Sequence, residues 1–427
     1  MFTIVKLLFV WSLFSTNQNK KRLELKNAWW LKTTTDDSTL IEQGNERNPA
    51  HVFGAASFLN DTGSDMIAPI WPAFLTTQLG LSPGQVQMVD GLALMITSLS
   101  KLGAGYASDR TGKRKAFITL GYAMSSIARI GFVLATLGYQ LFQIILWKSM
   151  DRLGKIRGPP RDAIVAGHAT EKKRGSAFGI LRALDTAGAV LGTIITFLLF
   201  QYIGFSGIIL LAVIPSIGSV VVVYVLVKER RGKDVFKGVS FRGLDMNLKV
   251  FLLASVLFAL ATFSYSLLLL FSASYGYSVT DQTLLYLLFV TVYAASAYPF
   301  GRLSDRVGRK PILIASFLFL IVTSLWANFI VFDWLTIIPL FVFFGLMNGA
   351  LDPVQTSFVS DLVEEERRAS IIGAFQMAVG ISAFPAGLII GYLWDSINPL
   401  AAFQYSIVLT FFALLLLLLI KTKAKAE

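Results

Sequence analysis

Lysine and arginine are missing from residues 48–100, 183–227, 250–301, 311–366 and 369–420, and they return in tight clusters between those stretches. The clusters are Arg110 to Lys115, Lys155 to Arg174, Lys228 to Lys249, Arg302 to Lys310, Arg367 with Arg368, and Lys421 to Lys425. The base-free stretches are rich in apolar residues, and a helix needs about 20 such residues to cross a hydrocarbon layer ~30 Å thick. Each basic cluster then follows an even number of crossings. Loops retained in the cytoplasm keep Lys and Arg and translocated loops lose them, so the pattern predicts a multi-pass protein of the cell membrane with both termini cytoplasmic.

Apolar residues make up 55% of the chain and charged residues 15%, against about 45–50% and about 25% in soluble domains. The formal charge of +12 is confined to one side of a membrane, so it speaks for topology and not for nucleic acid. The absence of cysteine removes disulfides, thiolate metal sites and cysteine nucleophiles together.

The apolar runs predict twelve spans, at 51–77, 84–107, 115–137, 139–161, 176–202, 206–227, 248–274, 281–303, 311–332, 334–358, 369–394 and 398–420. The fold class expected is an all-α membrane protein: a cytoplasmic arm over 1–48, a six-helix bundle over 49–227, a cytoplasmic linker over 228–247, a second six-helix bundle over 248–420 and a tail over 421–427. The apolar run Phe2 to Phe14 is short and lacks a small-residue cleavage pattern, which argues against a removable signal peptide.

The two bundles are repeats. Gly105-Tyr-Ala-Ser-Asp109-Arg110-Thr-Gly112-Lys-Arg114-Lys115 shares five of eleven residues with Gly301-Arg-Leu-Ser-Asp305-Arg306-Val-Gly308-Arg309-Lys-Pro311, 196 positions on. Pro159, Arg174, Ser176 and Gly179 recur as Pro353, Arg368, Ser370 and Gly373, 194 positions on. Parallel halves related by an axis along the membrane normal are an architecture in which one bundle rocks against the other around a midplane site. In the repeated loop the glycines permit a tight turn and close helix packing, the aspartate is placed to cap a neighbouring helix dipole, and the bases sit at headgroup depth.

These loops resemble the signature loop of the major facilitator superfamily, found between spans two and three and again between eight and nine; the resemblance covers roughly residues 50–420. It implies a transporter in two pseudo-symmetric six-helix halves, with Asp109 contacting the eleventh helix and stabilising the outward-open state. Asp109 and Asp305 are then gating residues and not substrate ligands. Span five spaces Gly179, Gly188 and Gly192 as Gly-x8-Gly-x3-Gly, similar to the antiporter motif of drug and proton exchangers but with Thr193 where that motif has proline. Plain helix packing explains the same glycines. The runs Ser57 to Met66 and Pro159 to Ala163 are similar to a prokaryotic drug-efflux-type branch whose members often lack a known substrate. The chain departs from that branch at Ile156, where glycine is usual.

Charges inside the spans locate the chemistry. An Asp, Lys or Arg at the centre of a membrane helix costs ~2.5–3.5 kcal/mol, so it persists where it pairs or faces an aqueous cavity. Asp61 and Asp65 share one face of span one at an i, i+4 spacing, and at ~1.5 Å per residue they fall near the bilayer middle. Span four carries Lys148, Asp151 and Arg152 at comparable depth, and span five carries Arg182 and Asp185 nearer the cytoplasm. The resemblance places spans one and four along the central cavity.

Low dielectric favours a neutral carboxyl and an approaching base favours its anion, so a moving Lys or Arg loads and unloads a proton. Asp61 and Asp65 are therefore the leading candidates for proton coupling, with Lys148 and Arg152 as partners or as ligands of an anionic substrate. A permanent salt-bridge network tying spans one, four and five is the structural alternative. Asp90, near the outer end of span two, reads as a solvated rim residue. Arg129 lies in a usually peripheral span and either snorkels or pairs inward. The second half is quieter, with Asp352 its clear intramembrane ionisable residue and Ser264, Tyr265, Ser266, Tyr286, Tyr293, Asn348 and Gln376 as its polar lining.

No phosphate loop, His-Glu-x-x-His or Gly-x-Ser-x-Gly pattern occurs, which argues against an ATP-driven pump or a hydrolase. The chain is expected not to be an enzyme and to need no cofactor or metal. Its expected partners are a small-molecule substrate, protons and the lipid bilayer, with function as a monomer. Proton-coupled efflux is the leading reading. Uptake of a small, anionic metabolite by a facilitator or a proton symporter is the alternative.

Overall fold

The computed structural model describes residues 49–137, 140–168, 174–228, 245–363 and 368–420. The expectations for the arm, for most of the linker and for the tail lie outside those residues. Among the described residues every regular element is helical. They make twelve passes in the expected order.

Helix α1 is Pro49–Ile67, continued through a turn by Trp71–Ala73 and a wide turn over Phe74–Gln78. Helix α2 is Pro83–Thr111 and α3 is Arg114–Leu134. Helix α4 is broken, Gln140–Leu153 and Gly158–His168 being joined by one tighter turn. The run Arg174–Leu226 is two passes, α5 (174–203) and α6 (205–226), separated at Gly204, whose φ of 62° turns the chain back. In the second half α7 is Met246–Ala261 with Tyr265–Ser274. Then follow α8 Val279–Val307, α9 Arg309–Trp326, α10 Trp334–Asp361, α11 Arg368–Ser396 and α12 Pro399–Leu419.

The repeat extends to the backbone. Helices α2 and α8 both have 29 residues. Each starts on a serine, Ser82 or Ser278, that caps the first turn reciprocally with Gln85 or Asp281, satisfying amides that no helix carbonyl can reach. Each ends at a positive-φ glycine, Gly112 at 67° and Gly308 at 93°, which other residues adopt only with strain. Gly105 faces Pro159 and Gly301 faces Pro353 at matching distances. Ser108 and Ser304 each donate back to the carbonyl of that glycine, at 3.2 and 2.7 Å.

By length and apolar composition α3, the α5–α6 run and α7 to α12 qualify as membrane-crossing. Helices α1, α2 and α4 are not among them, and α4 is broken into pieces of 14 and 11 residues.

The halves meet most closely at the end where the short loops carry no base. There α2 and α11 approach backbone to backbone: a methyl group at Gly84, Gly91, Gly387 or Gly391 would collide with a carbonyl of the opposite helix. Asp395 closes the seam by accepting from Ser82 Oγ at 2.5 Å and Gly84 N at 3.0 Å. At the base-rich end, by contrast, Gly103 of α2 meets open space and the side chain of Arg182 is 73% exposed. The molecule is closed at the base-poor end and open at the base-rich end.

Candidate functional site

Between the halves lies a cavity of about 260 Å³ lined by Asp61, Ser64, Asp65, Trp71, Arg129, Phe132, Lys148, Asp151, Arg152, Lys155, Tyr265 and Tyr286, with Ile67 and Ala68. Asp61, Asp65, Lys148, Asp151 and Arg152, candidates for coupling or substrate binding, all face this space, and so does Arg129. Arg182 and Asp185 do not; they pair with each other at 3.7 Å nearer the base-rich end, where Asp185 also lies 4.0 Å from Arg161.

On α1, Asp61 accepts from the amide of Asn60 at 2.8 Å. One turn on, Asp65 accepts from the hydroxyl of Tyr286 at 2.7 Å, a bond that crosses from the first half to the second. Facing them on α4, Asp151 lies 3.4 Å from Arg152. Lys148 stacks its ammonium over the Trp71 ring, 3.7 Å from the centroid, an attraction to the ring face that strengthens when water is excluded. Helix α4 is interrupted just below these residues. Lys155, four residues after Asp151 and seven after Lys148 and so on the same helix face, lines the cavity as well.

Arg129 pairs inward and does not snorkel. It is 1% exposed and donates to Asn60 O at 3.1 Å, Ser64 Oγ at 2.7 Å and Ala212 O at 3.3 Å. Room for it exists because residue 63 is glycine, where a methyl group would strike Arg129 Nη1 and the Ala212 carbonyl. The arginine is thereby consumed in fastening α3 to α1 and α6, its charge solvated by main-chain dipoles.

Asp90 is not a solvated rim residue. It is 8% exposed and accepts from Trp71 Nε1 at 3.2 Å, Ser264 Oγ at 2.9 Å and Ser266 Oγ at 2.5 Å. The reason is the break in α7 at residues 262–264: unwound backbone inside a membrane must find polar partners. Ser264 N finds Gln87 Oε1 at 3.3 Å, and the serine hydroxyls find Asp90. This four-way contact closes the cavity toward the base-poor end.

Of the remaining polar residues expected in the second half, Tyr293 donates to Asp352 at 2.6 Å and Asn348 to the Phe344 carbonyl of its own helix at 2.9 Å, while Gln376 is exposed. In α5, Gly188 and Gly192 lie against the carbonyls of Phe58 and Thr62 on α1 so closely that a methyl group would overlap them, but Gly179 faces open space.

In the repeated loops Asp109 bonds Arg114 at 2.7 Å across the α2–α3 turn. Asp305 lies 3.9 Å from Arg309, which also binds Asp361. With α2 and α11 joined at the far end, Asp109 is engaged by Arg114 of its own loop.

A sequence profile described as the Major Facilitator Superfamily matches residues 53–243 and 249–427. An uncharacterised MFS-type transporter of Methanocaldococcus jannaschii is 37% identical over 87% of this chain and 94% of its own length. A multi-drug resistance efflux pump of Streptococcus pneumoniae is 24% identical over 72% of this chain and 79% of its own. Among solved structures, a bacterial homologue of the human lysosomal transporter Spinster, in an inward-facing and occupied conformation, superposes with a TM-score of 0.67 at 16% identity, covering 87% of this chain and 95% of that one.

Proposed function

Since the chain belongs to the major facilitator superfamily, a family of transporters, we propose that its central cavity carries a small molecule across the cell membrane by alternating access, with export driven by protons exchanged at Asp61 and Asp65. The bond from Tyr286 on α8 to Asp65 on α1 carries this reading. A hydrogen bond to an ionised acceptor is roughly twice as strong as a neutral one, so a proton on Asp65 changes the strength of a tie between the two moving halves. Proton occupancy and the open end are linked through one atom pair.

The distribution of bases supports cytoplasmic termini, which makes the open end the cytoplasmic one. One chain lines the whole cavity, which supports function as a monomer. The 24% identical multi-drug resistance efflux pump of Streptococcus pneumoniae supports export. Uptake of a small anionic metabolite is the second reading, favoured by the basic residues of α4.

Purified protein in proteoliposomes tests the coupling: an imposed pH gradient is expected to drive substrate movement in wild type and not in Asp65→Asn. Movement indifferent to the gradient in wild type removes proton coupling. In whole cells, a cysteine at Ser82 is expected to label from outside and one at Ser240 is not; the reverse overturns the orientation.

A further inference from the structure

The cavity's charges are unequal in how well they are satisfied. Each carboxylate already has a protein partner: Asn60 donates to Asp61, Tyr286 donates to Asp65, and Arg152 forms an ion pair with Asp151. Arg129 spends its guanidinium on two carbonyls and a hydroxyl. Lys148 and Lys155 differ. Among the described residues neither ammonium has a carboxylate within 4.0 Å or a protein hydrogen-bond acceptor, although Lys148 is 7% exposed and both line the cavity. A buried ammonium has three donors and no acceptor, and leaving them unmet is costly. The wall around these two lysines is aromatic: Trp71, Phe132, Tyr265 and Tyr286.

We propose that the cargo is a small organic anion, a carboxylate or phosphate ester bearing a flat apolar ring, whose oxygens accept from Lys148 and Lys155 while the ring packs among Trp71, Tyr265 and Tyr286. A cation finds Asp61 and Asp65 each already accepting from a protein donor and Asp151 already paired with Arg152. An inorganic anion leaves the aromatic wall without a partner. The proposal deepens the transporter reading above and rests on it for the word cargo; it holds for either direction of movement.

Purified protein in lipid nanodiscs is titrated with benzoate and phenyl phosphate, and with benzamidinium and benzylammonium as cations of similar shape. At least one anion is expected to bind about tenfold or more tightly than either cation, a difference of one decade in Kd. Lys148→Ala and Lys155→Ala are each expected to lose roughly that tenfold. Lys148→Arg should keep most of the affinity, and Lys249→Ala, on the exposed start of α7, should keep all of it. Retained Lys148→Arg binding guards against loss by misfolding alone. Cations binding as well as anions, no anion binding to wild type, or unchanged affinity in both lysine-to-alanine variants overturns the proposal. Counterflow of the labelled anion in proteoliposomes separates the two levels. Binding without movement removes the transporter reading and leaves the ligand class, whereas movement of a cation instead removes the ligand class and leaves the transporter.

Discussion

The two halves share a backbone and divide the work. Helices α2 and α8 match in length, in their starting caps and in their terminal glycines, yet the first half is held together by buried polar contacts and the second by rings. Arg129 fastens α3 to α1 and α6 through carbonyls. In the second half Phe251 stacks on Phe375 at 5.3 Å and Phe258 on Phe317 at 4.0 Å, while Phe263 packs between Phe344 and Phe403. Duplication kept what the backbone requires and let the side chains diverge. A polar half can hold charge facing a cavity, and an apolar half can move past it as one body.

That contrast can be broken most directly at the carboxylates. Asp65→Asn is expected to lower proton-driven transport about 100-fold or more, a barrier change of about 2.7 kcal/mol, while Asp352→Asn in the second half changes it less than about threefold. Equal losses in flux assays at matched protein would show that the division of labour is illusory.

Next in size is the tie at the closed end. Asp90→Ala strands two buried donors, Trp71 Nε1 and the hydroxyl of Ser266, each worth about 1–3 kcal/mol when unmet, and leaves the Ser264 hydroxyl with Gln87 alone. The closed end is expected to open. A single cysteine at Ala68, which lines the cavity, should react with an impermeant reagent from the base-poor side at least about tenfold faster than in the parent, a shift of ~1.4 kcal/mol in the opening equilibrium. An unchanged rate would assign closure to the α2–α11 glycine seam alone.

Smaller effects test packing. Gly192→Leu forces a side chain into the Thr62 carbonyl, and overpacking of this kind costs about 1–3 kcal/mol; the thermal midpoint in detergent should fall, and Gly179→Leu, facing open space, should leave it in place. Smallest is the pair of loops. Asp109–Arg114 is a close bond between side chains 16% and 11% exposed, and Asp305–Arg309 is a 3.9 Å contact with Asp305 at 68%. Asp109→Asn is therefore expected to cost ~1 kcal/mol and Asp305→Asn a few tenths, read as a difference in midpoint between the two variants. The reverse order would mean the loops have exchanged roles.

Much of the fold was readable because the membrane writes it in one-dimensional terms: apolar length marks most of the passes, and the repeated loops mark the two halves. The convergence of Asp61, Asp65, Lys148, Asp151 and Arg152 was readable for a related reason, since a charge in mid-span needs an aqueous or ionic neighbour. Asp90 was misread because depth along α2 says nothing of what covers it, and its cover is an unwound turn of α7, 174 and 176 positions away. Arg129 was left open because its partners are carbonyls, which every residue has. Lys155 shares a helix face with Lys148 and Asp151, but as the first base of the cluster that runs to Arg174 it reads as part of a loop, and Tyr265 and Tyr286 differ from ordinary packing tyrosines only in three dimensions.

Trp71 sits where these features meet, its ring face under Lys148 and its Nε1–H on Asp90. An indole's emission responds to a charge over its face and to the bond on its nitrogen, and here opening the closed end changes the latter while filling the cavity changes the former. The chain has eight tryptophans, and a version keeping Trp71 alone would be its own optical gauge, reporting occupancy and gate position from one side chain without a label.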